Sequence, residues 1–202
     1  MPRRNSPRSD NLRRLVAHEA ARLISEQGID DYYLAKRKAA EKLGVSDQAG
    51  LPGNAEIEAA VVENQRLFDA QTHADRLRKY RLAARDALKF FSDFSPRVVG
   101  AVLSGAVAAG SDLEIHLFAD TVELITLRLV ENDVPYRLAD RRLRTSGSGH
   151  VRYPAVRFVA DDVPILALLF PRDGVRQAPR SRIDGRPMRR IDLRELELLL
   201  AE

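Results

Sequence analysis

The sequence predicts an α+β fold, a helical N-terminal half followed by a mixed sheet with flanking helices. Three observations carry that reading. Apolar residues recur at helical spacing up to about residue 91; from DLEIHLF onward they alternate or run continuously, as strands require; and two Asp/Glu capping signals mark helices set among those strands. The division that follows is a disordered basic arm over residues 1–10, a helical region over 11–94 and an α/β domain over 95–202.

The opening MPRRNSPRSD is basic, and Arg13, Arg14, His18 and Glu19 interrupt the stretch where a secretory signal needs an apolar core. Leu12, Leu15, Val16, Leu23 and Ile24 define a first helix that Gly28 is placed to end. Asp31 is positioned to cap a second helix running to Leu43 and closed by Gly44. Lys36, Arg37, Lys38 and Lys42 give it a basic face. SDQAGLPGNA reads as a loop, and Asn54 as the cap of a third helix holding Ile57, Val61 and Phe68. After a break near Gln71–Thr72, a fourth helix carries Leu77, Tyr80, Ala84, Ala87, Leu88 and Phe91 along one stripe.

At SDFSPRVVG the pattern changes. Val98–Val102 is short and β-branched, as a strand would be, and SGAVAAGS follows it. DLEIHLF alternates strictly. Asp120 with Glu123 has the spacing of a capping box and opens a helix to about Val130 through Val122, Ile125 and Leu129. VPYRLAD and HVRYPAVRFVA read as strands separated by a turn at SGSGH. VPILALLF is a continuous apolar run of strand length, which predicts a central strand covered on both faces. Asp192 with Glu195 makes a second capping box, opening a terminal helix at LRELELLL.

Composition narrows the chemistry. The 45% hydrophobic and 31% charged shares are those of a globular protein, and no run approaches the roughly 18–20 apolar residues of a membrane span. No membrane contact and a cytoplasmic location are the expectations. The absence of cysteine excludes disulfides, thiolate metal sites and a cysteine nucleophile. The net charge is only +4, but it is uneven. Between Pro171 and Arg190 seven arginines face two aspartates. Arginine presents a planar fork suited to phosphate oxygens, so a nucleotide or a polyanion such as RNA is the expected partner.

The stretch RVVGAVLSGAVAAGSDLEIHLF concentrates the candidate chemistry. Residues two apart in a strand share a face at about 6.6–7 Å, so Asp112 and Glu114 point together. Converging carboxylates suit divalent cations, Mg2+ above all. His116 shares the face but stands about 13 Å from Asp112, too far for one ion, and reads as a polar rim residue. Gly100 and Gly105 flank a turn where backbone N–H groups can approach phosphate.

This arrangement resembles the signature of the DNA polymerase β-type nucleotidyltransferase superfamily. There a strand ends in Gly-Ser, a short helix follows, and the next strand carries Asp-x-Asp or Asp-x-Glu. Gly100, Gly105 and Ser111-Asp112-Leu113-Glu114 fall in that register without a gap. The similarity extends, over most of the chain, to small bacterial proteins described as nucleotidyltransferase-like. The resemblance implies Mg2+-dependent transfer of a nucleoside monophosphate from a nucleotide triphosphate to a hydroxyl acceptor. It implies Asp112 and Glu114 as catalytic metal ligands, with Gly100, Ala101, Ser104, Gly105 and Ser111 around the phosphates and Arg172 or Arg176 pairing with the triphosphate.

The chain also departs from that pattern. Ala101 stands where the family has its serine, and Ser104 where a basic or small polar residue is common. The third acid, expected on a later strand, is missing: RYPAVRFVA and VPILALLF contain no carboxylate, and Asp161 and Asp162 lie at the turn between them. Losing a general base or metal ligand costs orders of magnitude in rate, which predicts a degenerate active site. Three readings stay open on the sequence: a transferase, a catalytically inactive nucleotide- or RNA-binding module, and an interaction scaffold docking through its helical half.

Overall fold

Helical periodicity through the first ninety residues becomes four helices, and the alternation after them becomes one five-stranded sheet; the fold is α+β, helical first and mixed sheet after. The computed structural model describes residues 7–27, 29, 31–45, 50–68, 70–145 and 149–201. Gly28, residues 1–6 of the basic arm and part of the SGSGH turn lie outside the described residues. The chain packs as two compact units, Met1–His73 and Ala74–Glu202.

The first unit holds α1 (Pro7–Gln27), α2 (Tyr32–Lys42) and α3 (Asn54–Phe68). Residues 7–10, assigned by the sequence to a disordered arm, are the first turn of α1. Val16, Ala20, Ala35, Ala39, Ile57 and Val61 are all buried, and the small alanines let α1, α2 and α3 approach closely. Asp31 caps α2 as its position predicts, accepting hydrogen bonds from the N–H groups of Tyr33 and Leu34. At the other end Gly44 adopts φ +64°, its N–H reaching the carbonyl of Glu41 while that of Val45 reaches Ala40. That pair of bonds is a Schellman closure, and its left-handed residue is one a glycine adopts without strain. α3 starts at Asn54 itself, one residue before a capping role would allow, and the N–H of Gly53 is met by Glu56 at 2.7 Å.

The basic face of α2 is partly spent within its own unit. Lys42 bonds Glu19 at 2.8 Å, and Arg22 bonds the same carboxylate at 2.8 Å. Hydrogen bonding from Arg22, opposed by burial and reinforced by Lys42, brings the Glu19 carboxyl down to about 2. A carboxyl depressed in the folded state stabilises fully above its unfolded value, and that contribution fades as pH falls toward the folded one. Urea midpoints are therefore expected to drop between about pH 5 and pH 2.5, and Glu19→Gln should visibly shrink the drop. An identical slope in the variant would remove Glu19 as a source of acid sensitivity.

The second unit takes in α4 (Ala70–Phe90) from Ala74 onward, with β1 (Arg97–Val98), α5 (Ala101–Ser104), β2 (Leu113–Phe118) and α6 (Val122–Glu131). β3 (Tyr136–Arg144), β4 (His150–Ala160), β5 (Val163–Phe170) and α7 (Leu193–Ala201) complete it. α3 ends at Phe68 and α4 begins at Ala70, so the change of helix falls before Gln71–Thr72. β1 is shorter than the expected Val98–Val102. Gly100, at φ +77° and ψ −148°, turns the chain out of the sheet and α5 begins at once. At α6 the cap is Thr121, in extended backbone, and not Asp120; the Asp120 carboxylate lies 3.0 Å from Arg172 instead. The box at α7 forms as its spacing predicts, Asp192 and Glu195 exchanging bonds of 3.1 and 3.0 Å.

The strand order is β1-β2-β5-β4-β3, with β2 and β5 parallel and every other pair antiparallel. β5 is therefore central, and its apolar run is buried on both faces. Asp161 and Asp162 form the two-residue β4–β5 turn with φ of +49° and +60°, the geometry of a type I′ hairpin. On one face Leu113, Ile115, Leu117, Ile165 and Leu169 pack against Leu88 of α4, Phe91 just after it, and Ile125 and Leu129 of α6. On the other, Phe118, Ala155, Leu166, Leu168 and Phe170 form a second cluster.

Between β5 and α7, residues 171–191 cross the sheet as a strap. They begin with a 3₁₀ turn at Arg172–Arg176. Arg180 then pairs with Arg144 on the β3 edge, and Ile191 with Val98 of β1 on the opposite edge. Among the described residues no helix is long and apolar enough to cross a membrane.

Candidate functional site

Strand parity puts Glu114, His116 and Phe118 on the face that the strap crosses, with Asp112 just before β2 begins. Asp112 and Glu114 have side chains only 15% and 13% exposed, so their charges need partners. Both partners are arginines. Arg157 of β4 donates to Asp112 Oδ2 at 2.5 Å. Arg141 of β3 brings Nη2 to 3.8 Å from Glu114 Oε2. Register explains the meeting: Glu114 stands opposite Leu166, and Leu166 opposite Arg157, so one face carries the acids and Arg157 across three strands. Burial alone would raise the Glu114 carboxyl, but His116, Arg141 and Arg182 together hold it below the ordinary carboxylate range.

His116 is fully buried, which corrects its reading as a rim residue. Arg190, from the strap, donates Nε–H to His116 Nδ1 at 2.9 Å. An accepting Nδ1 leaves the imidazole proton on Nε2, which faces Glu114 Oε1 at 3.5 Å. Burial, helped by Arg190 and opposed by Glu114, pushes His116 below its usual value and favours the neutral ring. Arg190 also donates Nη1–H to the carbonyls of Gly174 at 2.9 Å and Val175 at 3.3 Å. Its guanidinium carbon lies 5.0 Å from the centre of the Phe118 ring and 4.7 Å from that of Phe170. Burial lowers even this guanidinium, to about 10.

The residues singled out in the sequence divide between two ends of β2. Gly100 and Ala101 lie beside the acids, since the N–H of Val99 bonds the Glu114 carbonyl at 3.2 Å. The sequence strand–glycine–short helix–strand, with Gly105 closing α5, is therefore present next to Asp112 and Glu114. The hydroxyls nearby are used locally: Ser104 donates to the Ala101 carbonyl at 3.4 Å and Ser111 to the Ala108 carbonyl at 2.9 Å. α5 is a single turn of four residues, too short for a substantial macrodipole. Arg172 and Arg176 follow β5, and Arg172 pairs with Asp120 beyond the far end of β2. Asp120 stands two residues past the end of β2, whereas Asp112 stands one residue before its start. Leu166 stands on β5 directly beside Glu114, so the neighbouring strand brings no third carboxylate to the pair.

The sequence did not single out three arginines that meet these groups: Arg141, Arg157 and Arg190. Arg157 is an exposed charge in the strand HVRYPAVRFVA, and alternation alone does not mark it out from Arg152. Arg190 carried no separate signal, being one of seven arginines in its segment. The carboxylates therefore face guanidinium and imidazole groups, and among the described residues no group of three or more His, Asp or Glu gathers as a metal site would. No family model matches the chain, and no curated protein and no solved structure is significantly similar to it.

Proposed function

We propose that the second unit is a nucleotidyltransferase-like module that binds a nucleotide without catalysing transfer, arginines occupying the role that Mg2+ has in the family it resembles. The observation that carries this is the Asp112–Arg157 contact at 2.5 Å, with Arg141 beside Glu114. Mg2+ demands oxygen ligands at about 2.0–2.1 Å in near-octahedral array. To meet Asp112 and Glu114 it would have to displace Arg157 and compete with Arg141 for largely buried oxygens. Leu166 supplies no base to activate a hydroxyl, and neither neighbouring strand carries an acid. What remains is a surface rich in guanidinium groups, suited to phosphate directly. We infer that it meets its ligand in the cytoplasm.

The transferase reading keeps one observation in its favour, the assembly of Gly100, α5 and the two acids at one end of β2. Calorimetry with ATP separates the two. Affinity is expected to agree within about threefold in excess Mg2+ and in EDTA, to persist in Asp112→Asn, and to come with no release of pyrophosphate. Binding that needs Mg2+ and vanishes in Asp112→Asn would overturn the proposal and establish the transferase. RNA held more tightly than any mononucleotide would shift the module to RNA binding.

A further inference from the structure

The strap leaves space beneath it. Between residues 180–188 and the β3 edge lies a cleft of about 370 Å³, lined chiefly by Glu114, Arg141, Arg142, Arg144, Arg180 and Arg182. Five arginines thus line the cleft with a single carboxylate, and that carboxylate is already answered by Arg141, His116 and Arg182. Among the described residues no carboxylate lies within ion-pair distance of Arg142 or Arg144. Arg144 and Arg180 stand at directly opposed antiparallel positions. Like charges so placed repel, and an anion between them removes the penalty. The frame that holds them is firm: Arg180 N–H bonds the Arg144 carbonyl at 2.7 Å, and Arg180 Nη1 bonds the Gly185 carbonyl at 2.8 Å.

We infer that this cleft is an anion site that receives the phosphates of a small phosphorylated ligand, Arg144, Arg180 and Arg182 forming the fork. Its volume is at the small end of ligand pockets, fitting a phosphate chain with at most part of a mononucleotide. The inference rests on the binding reading above and relocates its phosphates, from the Gly100–Gly105 turn to the space between β3 and the strap. Glu114 has a defined part in it. By holding Arg141 in place before the ligand arrives, it pre-organises one wall of the site.

The test uses pyrophosphate and ATP in EDTA, with calorimetry on the full chain. Arg182→Gln and Arg144→Gln are each expected to weaken both ligands about tenfold or more. Arg85→Gln, which removes an equal charge from α4, where Arg85 is paired with Asp86, should stay within twofold. Circular dichroism and the urea midpoint establish that each variant is folded before its affinity is read. Unchanged affinity in Arg182→Gln and Arg144→Gln, or an equal loss in Arg85→Gln, would overturn the site. So would wild-type protein that ignores pyrophosphate altogether, or an RNA oligonucleotide that outcompetes ATP and withstands Arg182→Gln. Mg2+-dependent binding by the wild type would sink the parent reading; Mg2+-independent binding that survives both cleft variants sinks the cleft alone.

Discussion

Arg190→Ala is expected to lower the stability of the second unit by about 3–5 kcal/mol in urea unfolding. The substitution removes the donor to His116 Nδ1 and the donors to the carbonyls of Gly174 and Val175. An acceptor left unsatisfied inside a protein costs roughly 1–3 kcal/mol, and His116 is fully buried. The contacts over Phe118 and Phe170 are lost as well, at roughly 0.5–2 kcal/mol. Water entering the space vacated by a half-buried side chain recovers part of the sum, which sets the upper bound. Arg190→Lys keeps the charge but not the fork, and should recover less than half of the loss. A change below about 1 kcal/mol in Arg190→Ala would show that the strap is held by its edge pairings and not by this anchor.

Phe91→Ala should cost a similar amount, about 3–5 kcal/mol, by a different route. Phe91 is fully buried, and its ring lies edge-on to Phe90 at 4.7 Å and to Phe158 at 5.8 Å, with Phe94 at 6.2 Å. It joins the end of α4 to the face of β4, so truncation opens a cavity among groups that belong to different elements and cannot collapse together. Leu198→Ala is the matched control, on a helix of the same unit but 64% exposed, and should stay within about 0.5 kcal/mol. Equal effects in the two variants would mean that the ring contacts carry no weight beyond side-chain size.

Much of the architecture is legible because periodicity reports burial. The strands at residues 113–118 and 163–170 and the capping box at Asp192 stand where alternation, apolar run and spacing put them. The failures have specific causes. A strand from Val98 to Val102 would need Gly100 in extended backbone, and its actual conformation sends the chain into α5. Asp120 and Thr121 were both able to cap α6; Arg172, arriving from more than fifty residues later, claimed Asp120. His116 was given the correct face and the wrong environment, because what buries that face is the strap, and nothing local announces it.

The candidate site divides the same way. Asp112 and Glu114 as a same-face pair, and the lack of a third acid, follow from spacing and composition alone. Which arginine meets which acid follows from the register of β3, β4 and β5, and a one-residue slip would have turned Arg141 and Arg157 to the other face. The cleft depends on both register and strap, so no single segment encodes it.

The position of β5 sets a schedule for the chain as it is made. β2 can pair with β1 early, but its other edge stays open until residues 163–170 exist, and Val98 is not closed over until Ile191 arrives. The three helices of the first unit, by contrast, find their partners within the first seventy residues. Loop closure between residues distant in sequence is slow, and an unpaired apolar strand is a surface on which chains associate. Between the birth of β2 and that of the strap, the open edge of β2 is therefore the sheet's exposed apolar surface, and the charges made in that interval include Arg137, Arg141, Arg142 and Arg144 of β3.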